Sequence, residues 1–106
     1  MIKSFEYKIP FELKKSFQIV VESGNEISSW ESVSSDEHKG VIEWKQKGWL
    51  GGLGASRIKV YLKEPRPKDT LVTIYVSRPM LLIVPAKQCE RVYKKLEEKL
   101  DVKTAQ

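Results

Sequence analysis

The chain has too little cysteine and histidine to build metal or thiol chemistry on, with one residue of each. A lone cysteine, Cys89, excludes an internal disulfide. Together with a lone histidine, His38, it cannot supply the usual ligand set of a zinc site. A nucleophilic Cys–His pair would need the two side by side, yet His38 lies in the polar run Ser35 to Gly40 and Cys89 falls on an apolar helical stripe. They read as an exposed imidazole and a buried structural thiol. Long apolar runs are also missing. The longest, Met80 to Val84, falls far short of the roughly 20 residues a membrane helix needs. The opening MIKSFEYKIP alternates charged and apolar residues and has no signal-peptide core. Acidic residues are scattered among lysines, so no carboxylate pair stands out for acid–base work. These absences lead to the expectation of a cytoplasmic protein with no membrane span, no cofactor, no metal and no catalytic activity.

What is present suits a small folded unit. A chain of 106 residues, 41% of them hydrophobic, can bury one modest core. We expect a single domain over 1–106, ordered from about residue 2 to 101, with the C-terminal tail frayed. Lys plus Arg number 19 against 14 Asp plus Glu, a formal charge of +5. That excess favours solubility and mildly favours anionic partners, but it is too diffuse to mark a nucleic-acid binder.

The clearest local signal is Gly48 to Leu62, GWLGGLGASRIKVYL, in which Gly48, Gly51, Gly52 and Gly54 precede an alternating segment. Ile58, Val60 and Leu62 point one way and Lys59, Tyr61 and Lys63 the other, the period of a strand with one buried face. Around it the pattern predicts a first strand at 3–9, then a helix begun by Pro10 with Leu13, Phe17, Val20 and Val21 on one stripe. Gly24-Asn25 reads as the helix stop. A second strand follows at 27–34, where the opposite parity of Trp30 and Val33 implies either a bulge or a two-sided strand. Further strands are predicted at 41–47, 55–63 and 70–77, with Glu64 to Asp69 a turn because of Pro65 and Pro67. A last helix at 86–100 carries Cys89, Val92, Tyr93, Leu96 and Leu100 on one stripe. The fold class is therefore α+β, ordered β-α-β-β-β-β-α, an antiparallel sheet with two helices packed on one face.

That order resembles TATA-binding-protein-like domains and the larger helix-grip domains of START and polyketide-cyclase proteins. The residues carrying the likeness are the opening FEYKIP, the helix FELKKSFQIVVES, the glycine loop GWLGGLG and the closing helix VYKKLEEKL. The resemblance implies helices laid across one face of a sheet. This chain is shorter than a typical helix-grip domain and lacks its second short helix and extra strands.

Three places are candidates for function. The glycine loop could expose backbone N–H groups to an anion, but it neither opens a helix nor carries a Walker lysine, and a plain glycine-rich hairpin explains it too. Trp49, Leu50 and Leu53, with Met80, Leu81, Leu82 and Ile83, are the most apolar irregular segments. They form either the lips of a ligand site or a self-association patch, or they simply cap the core. The polar sheet face, with Lys45, Lys59, Lys63, Tyr61, Tyr75, Thr73 and Glu43, could bind single-stranded nucleic acid by stacking; an ordinary solvated face is the stronger reading. The expected function is a small non-catalytic binding domain for an apolar or lipid-like ligand. The alternatives are a homodimer or protein-interaction module and, more weakly, a nucleic-acid binder.

Overall fold

A computed structural model describes residues 2–46, 55–78 and 85–105. Five strands form one antiparallel sheet: β1 (Ile2–Ile9), β2 (Trp30–Asp36), β3 (Val41–Gln46), β4 (Ser56–Arg66) and β5 (Asp69–Ser77). Two helices, α1 (Leu13–Asn25) and α2 (Pro85–Thr104), complete the order β-α-β-β-β-β-α. In space the strands run β1-β5-β4-β3-β2, so β2 to β5 are a meander and β1 lies beside β5. Helix α1 carries the chain from one edge of the sheet to the other, and α1 and α2 pack against each other.

Strict alternation sorts the sheet into two faces. Ile9, Ile42, Trp44, Ile58, Val60, Leu62, Val72, Ile74 and Val76 are buried on the helix side. Phe17 and Val20 of α1, and Cys89, Val92, Tyr93, Leu96 and Leu100 of α2, close over them. These side chains form the core between sheet and helices, Trp44 the largest of the fully buried ones.

Three local readings are corrected. Helix α1 ends at Asn25, at the expected Gly24-Asn25 stop, but Gly24 is still inside the helix, where any Cβ would overlap the Trp44 ring, and Asn25 accepts a hydrogen bond from the Trp44 indole N–H at 3.0 Å. Tertiary packing, not capping, requires that glycine. Strand β4 runs through Glu64 and Pro65 to Arg66, with a bulge between Lys63 and Arg66. Proline is tolerated there because β3 pairs with β4 only as far as Tyr61, leaving that end of β4 with one neighbour. Glu64 itself joins two elements: its carboxylate accepts from the Leu13 N–H at 2.8 Å, at the start of α1, and from the Lys68 N–H at 2.9 Å in the hairpin turn. It thereby serves an α1 terminus whose own Ncap residue, Glu12, makes no side-chain cap. Lys68 takes φ 58°, a left-handed turn conformation.

The third correction concerns α2, which runs on to Thr104 rather than ending at Leu100. One stripe of α2 follows β1. Glu90 pairs with Lys3 at 3.4 Å, Tyr93 stacks on Phe5 at 4.3 Å between ring centres, and Tyr7 bonds Asp101 and Thr104. Lys103 reaches Glu26 at 2.7 Å. Of the two alternatives for β2 the bulge holds, between Ser32 and Ser34. Gly40 closes the β2–β3 turn at φ 67°, its carbonyl accepting from the Leu62 N–H at 2.8 Å.

Candidate functional site

The register fixes where the two apolar segments leave the sheet. Gln46, the last residue of β3, pairs with Ser56, and Ser77, the last of β5, pairs with Arg57. Segments 47–54 and 79–84 therefore depart from the same end. On the helix side this end is tied together. Gln46 accepts from the Trp30 indole at 2.9 Å and from Lys95 at 3.2 Å, while Arg78 donates to the buried Ser56 hydroxyl at 2.8 Å. The nominated residues Trp49, Leu50, Leu53, Met80, Leu81, Leu82 and Ile83, and the glycines from Gly48 to Gly54, lie outside the described residues.

The outer face of the sheet carries a groove at this same end. It has a volume of about 570 Å³ and is lined by Ile2, Glu43, Arg57, Lys59, Tyr61, Tyr75 and Ser77. The cross-strand rows explain the grouping. Tyr75, Lys59 and Glu43 stand in one row across β5, β4 and β3; Ile2, Ser77 and Arg57 stand in the next. Tyr61, two residues on from Lys59, sits diagonal to Tyr75, and their rings meet edge-on at 5.7 Å and 85°. The Lys59 ammonium lies 5.6 Å from the Tyr61 ring centre. Arg57 pairs with Glu43 at 3.2 Å.

Alternation along β3, β4 and β5 places Lys59, Tyr61, Tyr75 and Glu43 on one face. Arg57 shares their parity and was available to the same reasoning. Ile2 was not, because only the pairing of β1 with β5 brings it there.

The two residues with nucleophilic or ligating potential are far apart in the fold. Cys89 is buried, its Sγ 3.7 Å from the Val76 carbonyl near the Gln46–Ser77 end, and burial pushes its thiol up. His38 is exposed in the β2–β3 turn, at the opposite end of the sheet. Among the described residues no group of three His, Cys, Asp or Glu side chains could hold a metal ion, and no helix is long and apolar enough to cross a membrane.

No family model and no curated protein matches the chain in sequence. Solved structures do match in fold. An uncharacterized protein of Bacillus thuringiensis aligns over 99% of this chain and 97% of its own, at 8% identity and TM-score 0.68. The di-domain ARO/CYC protein BexL, from the BE-7585A biosynthetic pathway, aligns over 99% of this chain at 9% identity and TM-score 0.69. The di-domain ARO/CYC protein StfQ, from the steffimycin biosynthetic pathway, aligns over 96% at 9% identity and TM-score 0.59. This chain spans 45% of the first of these di-domain proteins and 44% of the second. These neighbours overturn the expectation of a domain without catalytic activity. ARO/CYC domains are enzymes built on this fold, so the missing nucleophile and metal motifs are no ground for excluding catalysis. What the matches establish for this chain is its fold, an α+β arrangement with a fold-level resemblance to the helix-grip type.

Proposed function

We propose that this protein is a cytoplasmic small-ligand-binding domain whose ligand is apolar or lipid-like. The ligand meets the end of the sheet from which 47–54 and 79–84 leave, with Trp49, Leu50, Leu53, Met80, Leu81, Leu82 and Ile83 as its contacts. One observation supports the reading: the pairing of Gln46 with Ser56 and of Ser77 with Arg57 ends β3 and β5 at the same end of the sheet, on either side of β4. Two such segments together offer enough apolar surface for a small ligand to be desolvated. The fold shared with the ARO/CYC domains is compatible with a small-ligand site.

Native mass spectrometry of the purified protein tests this. The expected spectrum shows a monomer carrying a small-molecule adduct, or acquiring one from added oleate. Trp49→Ala should lower adduct retention with little loss of stability. A protein that takes up no ligand would overturn the reading, as would a ligand-free dimer that Trp49→Ala dissociates. So would a Trp49→Ala variant destabilised by about 3–5 kcal/mol, the cost of a buried aromatic in a core.

A further inference from the structure

We infer that the groove on the outer face of the sheet is a second binding site, for a small planar aromatic anion such as an aryl carboxylate. This site is separate from the apolar end segments and stands on described residues alone. Its aromatic part is a corner. Tyr61 and Tyr75 are 40% and 39% exposed and meet at 85°, so a flat ring can stack on one and meet the edge of the other. Ile2, 70% exposed and two strands away from Arg57, supplies an apolar wall. A groove of about 570 Å³ is of the size small-molecule sites have.

The charge follows from the register. Elsewhere on this face Lys8, Lys45 and Lys63 are equalled in number by Glu6, Glu31 and Asp36, and Lys45 stands directly opposite Glu31. Inside the groove two cations, Arg57 and Lys59, face one carboxylate, Glu43, and Arg57 already engages it. Lys59 has no carboxylate within 4.0 Å among the described residues, and it neighbours both tyrosines, Tyr75 across the strand pair and Tyr61 along β4. The Arg57 side chain remains 66% exposed, so its other N–H groups are open to a ligand. Within the groove the cations thus outnumber the carboxylates beside the aromatic corner. A stripe of phosphates would find cations and carboxylates in equal number beyond it. One anionic group fixed to one flat ring satisfies Lys59, Arg57 and the tyrosine corner together.

The test is an amide-resolved NMR titration with 2-naphthoate. Saturable shifts are expected at Ile2, Arg57, Lys59, Tyr61 and Tyr75, weakened by added salt. Affinity should fall by about tenfold in Lys59→Gln and again in Tyr75→Ser. Both residues are exposed, and unchanged spectra elsewhere will confirm that the variants fold. Methyl 2-naphthoate, which lacks the charge, should bind at least about tenfold more weakly to the unaltered protein. Trp49→Ala should leave naphthoate binding unchanged, so this site can stand or fall apart from the apolar end. Non-saturable shifts, shifts that map elsewhere, equal binding of the ester, or an oligonucleotide that occupies these residues where naphthoate does not would each overturn the inference.

Discussion

Gly24 shows how one residue can mislead a reading of sequence and then become the sharpest probe of the fold. A glycine followed by asparagine beside a helical stripe has the look of a terminus. Its actual neighbour, Trp44, is 20 residues away in sequence, and no local pattern reports that contact. In an ordinary exposed helix Gly→Ala gains about 1 kcal/mol. Here the new methyl meets the indole of the largest fully buried side chain, so Gly24→Ala should lose about 1–3 kcal/mol by overpacking. A urea midpoint measures this directly, and a stabilised variant would show that α1 does not pack on Trp44 as described. Residue-scale readings that rest on alternation fare better. Ile58, Val60 and Leu62 are buried with Lys59 between them, as is Cys89 on its helical stripe.

At the scale of elements, all seven segments were legible because period 2 and period 3.6 survive in a half-buried sheet and in amphipathic helices. The errors lie at boundaries, where tertiary partners decide. Strand β4 outlasts its prolines because only β5 flanks it there. Helix α2 outlasts its apolar stripe because polar residues at its end, Asp101, Lys103 and Thr104, find Tyr7 and Glu26. That helix–strand seam has a pH signature. Burial foremost, aided by the Glu97 charge, holds the Tyr93 phenol well above its ordinary value of 10.0; burial, and then the bond to Asp101, raises Tyr7 as well. A group whose folded value is raised contributes stability in full below its unfolded value and loses it above. The seam should therefore be intact below about pH 10 and weaken as pH climbs past it. Lys103, raised by its bond to Glu26, adds to the same alkaline loss. Tyr93→Phe removes one of these phenols and leaves the lysine in place. Its melting temperature should accordingly fall less steeply above about pH 10 than that of the parent. Parallel curves would contradict the placement of Tyr93.

For the molecule as a whole, the sequence conveyed the class of fold but not the sheet order. Nothing local places β1 beside β5, and that pairing brings Ile2 into the outer groove and aligns α2 along β1. The direction of the strands was legible, since short connections impose an antiparallel meander, and with it the common end at Gln46 and Ser77. Function was not legible by motif. A fold shared with ARO/CYC domains at 9% identity carries its chemistry in side chains that differ from one protein to the next. The proposal of an apolar ligand at the shared end of the sheet is tested most directly by photo-crosslinking with a diazirine-bearing fatty acid, followed by peptide mapping. The predicted result is saturable labelling within 47–54 and 79–84, displaced by unlabelled fatty acid and diminished in Trp49→Ala. Labelling that does not saturate, or that concentrates on peptides from the opposite end of the sheet around His38, would contradict it.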